Sequence, residues 1–477
     1  MNQEKLELIS DFYEFTMSNG YFSKNKNDIA YFDIFFRKVP DGGGYAIVAG
    51  LEQVIEFIQN LKFDKEDIEY LRKQNMFSEE YLNYLEKFEF TGDIWAIPEG
   101  TVVFPNEPLI TVKAPVVEAQ LLETMLLLVI NHQSLIATKT SRIVKSAQGR
   151  PVMEFGARRA HGVSAAIYGA RASIIGGAVG TSCTASSEKF DVPASGTMAH
   201  SWIQSFDSEY EAFKTYAELY PNNCTFLIDT YNTLQSGLPN AIKVFNEVLG
   251  PKGIRPVAVR LDSGDLAYLS KKVRKILDDA GYPDCKICAT NSLDENLITS
   301  LIEQKAKIDL FGVGENLITA KSDAVFGGVY KLAAIERNGK IIPKIKISEN
   351  VEKITNPSFK KVYRFYCKDT NYALADVIML REEQAPEGEY EIFDQHNTWK
   401  RKKLNNYYIR ELQEKIFENG KLIYKSPTLK EIAEYSKQQL GTIWDEVKRL
   451  NNPQKYYVDL SQKLYDLKTE LLNENNG

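Results

Sequence analysis

The stretch 256-PVAVRLDSGDLAYLSKKVRKILDDAG-281 decides the fold. It opens as an apolar run that reads as a buried strand. The run gives way at once to Asp262, Ser263, Gly264 and Asp265, after which apolar residues recur at helical spacing until Gly281 stops the pattern. Strand, polar turn and amphipathic helix make one β/α unit. Similar apolar runs stand at 151-PVMEF-155, 224-CTFLI-228, 286-KICAT-290 and 307-KIDLFGV-313, with amphipathic stretches between them. Alternation of this kind implies parallel strands joined by right-handed crossovers. Nearly every run ends in polar or glycine residues: GARR, DTYNT, DSGD, TNS, GENL. A β/α barrel builds its active site at such C-terminal strand ends. An open doubly wound sheet satisfies the same periodicity, so both architectures remain open at this point.

The flanks differ in texture. Up to about residue 135 short strands mix with helices, and 30-AYFDIFFRKV-39 and the turn-punctuated 93-DIWAIPEGTVVFPNEPLITVK-113 read as a small antiparallel unit. Beyond about 345 the chain is rich in Lys, Tyr and Glu. Segments such as 426-SPTLKEIAEYSKQQLGTIWDEVKRL-450 read as surface helices of an accessory region without a catalytic cluster, and 400-KRKK-403 reads as a solvated loop.

Composition excludes several classes. The 477 residues leave room for two to four domains. A net charge of −6 gives no basic excess to offset phosphate backbones, which argues against a nucleic-acid binder. Five cysteines in so long a chain are no disulfide framework, and 285-CKIC-288 reads as a buried strand rather than a metal or redox pair. The N-terminus MNQEKLELIS is too polar for a signal peptide. The run 121-LLETMLLLVI-130 is too short to span a bilayer. A soluble, cytoplasmic protein without membrane partners is expected.

Three groups of residues can do chemistry. In 260-RLDSGDLA-267, Arg260 can pair with an anion and Asp262 can accept hydrogen bonds from a sugar diol or hold a metal through water, while Asp265 caps the following helix. Arg158 and Arg159 in 155-FGARRAHG-162 precede the glycine-rich 175-IGGAVGTSCTAS-186, and 311-FGVGENL-317 repeats the glycine pattern. Bare backbone amides beside guanidinium groups suit phosphate oxygens. No G-x-x-x-x-G-K-[ST] loop occurs. The run 224-CTFLIDTYNTLQSG-237 echoes the diphosphate-sugar loop of type I phosphoribosyltransferases, but that loop carries adjacent acids and only Asp229 is present, so a type I fold is rejected. Finally, 193-PASGTMAHSW-202 sets His200, one of four histidines, among small residues where it can serve as ligand, base or nucleophile, or simply pack.

Taken in order, 11-DFYEFTMSNGYF-22, 35-FFRKVPDGGGYAIVAGLE-52, 154-EFGARRAHG-162, 196-GTMAHSW-202, 228-IDTYNTLQSGLPNA-241, 260-RLDSGDL-266, 311-FGVGENLITA-320 and 452-NPQKYYVDLS-461 resemble the nicotinate phosphoribosyltransferases, a type II phosphoribosyltransferase family of NAD synthesis. The resemblance implies an α/β protein. An irregular β/α barrel at 135–342 would carry the active site, and an α/β domain would assemble from 1–134 and 343–477, the latter adding surface helices. It implies a homodimer with shared active sites. The reaction would join nicotinate to 5-phosphoribosyl 1-diphosphate with Mg²⁺, coupled to ATP hydrolysis through a phosphohistidine.

By the same resemblance His200 is the phosphohistidine, with Trp202 packed behind it. Tyr13, Phe155, Thr197, Arg260 and Ser182 bind nicotinate, Tyr13 reaching in from a neighbouring subunit. Arg158, Asp262, Gly264, Gly312, Gly314 and Glu315 bind the phosphoribosyl diphosphate. The metal ligands are unknown. Ser182 stands where the sister nicotinamide enzyme has an aspartate, which favours the acid over the amide. Glu315 stands where some relatives have threonine; an acid beside a phosphate is unfavourable unless its side chain turns away. A nicotinamide or quinolinate phosphoribosyltransferase, or a non-catalytic metabolite-binding relative, are the alternatives.

Overall fold

The computed structural model describes residues 5–25, 28–350 and 353–474. The chain forms two compact units: a terminal unit of Met1–Leu135 with Val325–Gly477, and a central unit of Ile136–Ala324.

In the terminal unit both ends of the chain enter one seven-stranded sheet. Its order is Lys340–Pro343, Val329–Arg337, Ile29–Phe35, Ile110–Pro115, Asp93–Ala96, Glu414–Glu418 and Lys421–Leu422. The strand Ile29–Phe35 is buried along nearly its whole length and pairs antiparallel with neighbours on both sides. The stretch 325–342, assigned to the barrel from sequence, belongs here instead, because Val329–Arg337 pairs with Ile29–Phe35. The region after 345 is also more sheet-like than expected. Lys360–Cys367, Ala373–Leu380, Tyr407–Glu411 and Val458–Leu460 make a four-stranded sheet over a core of Phe365, Val377, Met379, Ile392 and Leu404. The tetrad 400-KRKK-403, expected in a loop, lies largely on a hairpin strand: Arg401–Leu404 pairs with Tyr390–Phe393, burying Leu404 while the three cations before it face out. Of the expected helix at 426–450, Leu429–Gly441 forms, opened by a Thr428–Glu431 capping box.

The central unit holds five parallel strands, numbered here β1 (Val152–Glu154), β2 (Thr225–Leu227), β3 (Ala258–Leu261), β4 (Lys286–Ala289) and β5 (Leu310–Val313). They stand in the order β2-β3-β4-β5-β1. These are the five apolar runs read from sequence. Phe226, Val259, Ile287 and Phe311 are fully buried at their centres, as strands covered on both faces require. Single-residue parallel bridges, Glu154 with Thr181 and Thr181 with Ala194, extend the sheet beyond β1. Helices Val163–Ile175 and Glu209–Leu219 lie between β1 and β2, Leu238–Val244 between β2 and β3, Leu266–Asp279 between β3 and β4, and Glu295–Glu303 between β4 and β5. Asp265 caps its helix as expected, accepting from the Tyr268 amide at 2.9 Å.

Candidate active site

The C-terminal ends of the five strands gather the groups that sequence singled out. Arg260, at the end of β3, has only 15% of its side chain exposed. It donates from Nε to Thr290 Oγ1 (2.9 Å), from Nη1 to Thr197 Oγ1 (2.8 Å) and the Met198 carbonyl (3.4 Å), and from Nη2 to Asp262 Oδ1 (2.9 Å). Asp262 Oδ1 also accepts from the Thr290 hydroxyl. Burial alone would raise the Asp262 carboxyl, but the Thr290 hydroxyl, Arg260 and His200 outweigh it and hold the group below its ordinary pKa. Asp262 is therefore a carboxylate at neutral pH.

His200 opens the short helix His200–Gln204, with its imidazole 39% exposed. Nδ1 lies 3.1 Å from Thr230 Oγ1 and Nε2 3.6 Å from Asp262 Oδ2. Trp202 packs as expected: its indole N–H donates to the Ala212 carbonyl and its ring lies against Phe206 and Tyr216. Among the described residues no backbone ladder joins Ala194 to β2. Thr197 and His200, just past Ala194, instead meet Arg260 and Thr230 across that seam through side chains.

Phe155 leaves β1 and lays its ring on the next strand. A Cβ at Gly312 would come within 2.5 Å of that ring and 2.8 Å of Thr290 Cγ2, and one at Gly314 within 3.0 Å of the Phe155 carbonyl. Gly312 is thus required by the approach of Phe155, and Gly314 sits in tight contact with the Phe155 main chain, whatever else their amides bind. Gly264 holds a left-handed φ of 77°, which turns β3 into its helix. Arg158 and Ser182 are exposed at the same rim, the first in the turn Ala157–Arg159, the second with its amide on the Glu154 carbonyl at 2.9 Å. Among the described residues Arg158 has no hydrogen bond or ion pair. Glu315 turns to Lys321 (2.6 Å), which lowers its pKa and draws the carboxylate into an ion pair. Tyr13 lies on the terminal unit's helix Phe12–Lys24, 44% exposed, its hydroxyl pKa raised by burial and by Glu123.

Four contributors escape the sequence reading. Asp229 Oδ2 accepts from the Asp262 amide (2.8 Å) and Ser263 Oγ (2.6 Å), fixing the 262–264 turn, while its Oδ1 is buried without a partner among the described residues. Thr230 and Thr290 orient His200 and Arg260. Glu154, fully buried, accepts from Thr181 Oγ1 (2.6 Å) and the Gly156 amide; burial raises its pKa against both bonds. Their only sequence signal is position, since all four stand at or just past a strand end. The thiols of Cys285 and Cys288 are buried on and beside β4 and pushed up to about 12, as a structural strand requires.

Family models match along the chain: the nicotinate phosphoribosyltransferase N-terminal domain at residues 8–131, the nicotinate phosphoribosyltransferase family at 151–377 and its C-terminal domain at 359–468. Nicotinate phosphoribosyltransferase of Bacillus subtilis is 44% identical over 99% of this chain and 96% of its own. The chain belongs to the nicotinate phosphoribosyltransferase family. It is thus a phosphoribosyltransferase enzyme with the type II fold. The Dictyostelium discoideum relative is 34% identical over 96% of this chain and 87% of its own. The crystal structure of human nicotinic acid phosphoribosyltransferase superposes with a TM-score of 0.86 at 28% identity, covering 97% of this chain and all of that one. A nicotinate-nucleotide pyrophosphorylase from Pyrococcus furiosus shares the fold, with a TM-score of 0.70 at 24% identity over 93% of this chain and 97% of its own. Among the described residues no helix is long and apolar enough to cross a membrane.

Proposed function

We propose that this enzyme forms nicotinate mononucleotide and diphosphate from nicotinate and 5-phosphoribosyl 1-diphosphate, for NAD synthesis in the cytoplasm, with ATP hydrolysis coupled through phosphorylation of His200. The observation that carries the reading is the shared network at one rim: Arg260, Asp262, Thr197 and His200 linked within 3.6 Å.

In this reading the pyridine nitrogen attacks the anomeric carbon as its bond to the diphosphate oxygen breaks, and the electron pair leaves with the diphosphate. Little proton transfer is needed, so positioning and electrostatics supply the rate. The Phe155 ring stacks on the pyridine, with Ser182 beside it. Arg260 already spends four N–H groups on protein acceptors. It keeps one Nη2 hydrogen for the nicotinate carboxylate, a single charged bond unless the Thr197 or Met198 contact gives way. Asp262 receives ribose hydroxyls, Gly264 lets the main chain approach the sugar phosphate, and exposed Arg158 meets the diphosphate. Gly314 and Glu315 offer the backbone amides of a helix start to the 5-phosphate, the Glu315 carboxylate being turned to Lys321. Tyr13 covers the ring from a second copy of the chain.

Among the described residues no cluster of three or more acids, cysteines or histidines forms a metal cage. Mg²⁺ binds mainly through substrate phosphates with one or two carboxylates, and the unpartnered Asp229 Oδ1 beside Asp262 fits that demand. When bound, the ion would neutralise charge on the departing diphosphate.

His200 is exposed enough to take the γ-phosphoryl from ATP: a ring nitrogen bonds to phosphorus, and ADP leaves. Incubation with γ-labelled ATP should yield an acid-labile phosphoprotein. His200→Ala should abolish the label and the stimulation by ATP while leaving slow mononucleotide formation. Label persisting in His200→Ala refutes the coupling route. Competition among nicotinate, nicotinamide and quinolinate tests the substrate.

A further inference from the structure

The terminal unit contains a cavity of about 1050 Å³ that the reaction does not use, at the upper end of the range for small-molecule sites. One wall includes the main chain of Gly42 and Gly43, with nothing within 4 Å of a Cβ placed at Gly42, and of Gly44, which packs against the Val447 carbonyl and Pro453. Two aromatic rings face the cavity uncovered, Trp399 at 76% and Tyr457 at 39% exposure. Cations stand beside them: Lys400 Nζ lies 5.2 Å from the Trp399 ring and Lys402 Nζ 5.0 Å from the Tyr457 ring. Lys455 lines the cavity too, and none of these three lysines has an ion pair among the described residues. Asp459 also lines it, only 7% exposed, and its carboxyl makes no hydrogen bond among the described residues. Burial, with Asp394 adding to it, pushes that carboxyl up to about 7 against Lys455. A second, smaller cavity shares Asn106, Gln395 and His396 with the first and contains Lys468. Lys468 is held by Asn356 (2.8 Å) and Gln395 (3.0 Å), with no carboxylate partner among the described residues.

Each feature asks something of an occupant. The rings ask for a flat π-system, the lysines for an anion and the buried carboxyl for an N–H or O–H donor. A nucleotide carries all three: a base with an amino group, and a phosphate. We propose that this cavity of the terminal unit is a second, non-catalytic nucleotide site, with the base against Trp399 and Tyr457, its donor on Asp459 and its phosphate on Lys400, Lys402 and Lys455.

The test uses the full chain and AMP as the probe, titrated by calorimetry with saturating 5-phosphoribosyl 1-diphosphate present to occupy the barrel site. One AMP should bind per chain. Trp399→Ala, and separately the pair Lys400→Gln and Lys402→Gln, should each weaken it by about tenfold or more, the scale of losing one base stack or two phosphate contacts. Adenosine and inorganic phosphate should each bind more weakly than AMP. Mononucleotide formation without AMP should be unchanged in both variants, all three residues being exposed. No saturable binding, or binding indifferent to these variants, overturns the proposal. So does a Trp399→Ala chain whose sedimentation changes while wild-type chain ignores AMP, which would make the cavity a contact between copies. None of these outcomes depends on His200 or on nicotinate being the substrate.

Discussion

Arg260→Lys is the sharpest probe of the rim. The substitution keeps the charge opposite Asp262 but replaces a planar fork with a single ammonium group. Arg260 reaches Thr290, Thr197 and Asp262 in three different directions at 2.8–2.9 Å. A lysine of similar length can satisfy one or two of these. Asp262 should win, because it is charged. Thr197 and Thr290 then lose their donor, and with them the hold on the loop that carries His200. Both acceptors are neutral hydroxyls, so each bond counts at about 1.5–2 kcal/mol, the low end for a charged donor, and the two give a loss of about 3–4 kcal/mol. At about 1.36 kcal/mol per factor of ten, that is a fall of roughly 10²- to 10³-fold in kcat/KM for nicotinate. The same two bonds are made in the free protein, so the thermal midpoint should fall as well, by several degrees. Steady-state kinetics with nicotinate varied, alongside a melting curve, separates the two. An Arg260→Lys enzyme within about threefold of wild type in kcat/KM would mean that the fork geometry is irrelevant to the transition state, and the assignment of Arg260 would fall.

Other perturbations read other parts. Gly312→Ala places a methyl within 2.5 Å of the Phe155 ring, so the ring must swing away, and KM for nicotinate should rise about tenfold or more; an unchanged KM would remove Phe155 from the ring site. Glu315→Gln breaks only the exposed pair with Lys321, and phosphoribosyl diphosphate kinetics should stay within about threefold; a large gain in affinity would show the carboxylate faces the phosphate after all. Asp459→Asn tests a buried acid whose pKa rises from 3.8 to about 7 on folding. The unfolded chain loses that proton first, so wild-type stability falls as pH climbs from 3.8 to 7, by at most about 4 kcal/mol at 1.36 kcal/mol per pH unit. The variant should therefore be more stable than wild type at pH 8 and show no such gain at pH 4. Equal melting differences at both pH values would contradict it.

The five parallel strands are legible because a strand buried on both faces leaves an uninterrupted apolar run with a polar end. The sheets after residue 345 are less so: Lys360–Cys367 and Ala373–Leu380 are buried along most of their length, but Lys360, Lys361, Arg364 and Asp376 interrupt their apolar runs. Arg401–Leu404 offers one apolar residue in four, and only its pairing with Tyr390–Phe393 makes it a strand. The domain edge is hidden for a related reason. Val329–Arg337 reads as a strand wherever it pairs, and its partner Ile29–Phe35 lies at the opposite end of the chain. At the site, residues with unusual chemistry stand out: two arginines, a histidine, an aspartate at a strand terminus. Thr230 and Thr290 do not, since a threonine at the end of a strand is unremarkable until its hydroxyl meets an imidazole or a guanidinium. Asp229 reads as a lone acid in a failed type I motif, whereas its work is to fix the Asp262 turn.

The seam of the sheet connects these parts. No backbone ladder crosses it among the described residues; Thr197 and His200 meet Arg260 and Thr230 there, and helix Glu209–Leu219 bridges it too, through Trp202 on one side and Phe226 on the other. If His200 is phosphorylated, the modification cannot be local. Nδ1 is engaged by Thr230, and Nε2 lies 3.6 Å from the Asp262 carboxylate. A phosphoryl group on either nitrogen brings a charge of about −1.5 to −2 against an anion, or breaks the contact that spans the seam. Asp262 must then move from the histidine or Arg260 must turn toward the phosphate, and each releases a different part of the substrate cradle. Energy from ATP would reach the pyridine and ribose contacts through this one junction, without a hinge elsewhere. Thr230→Val removes the Nδ1 contact and leaves the imidazole in place. ATP stimulation should fall in that variant while phosphorylation of His200 persists, and full stimulation would show that the seam does not carry the coupling.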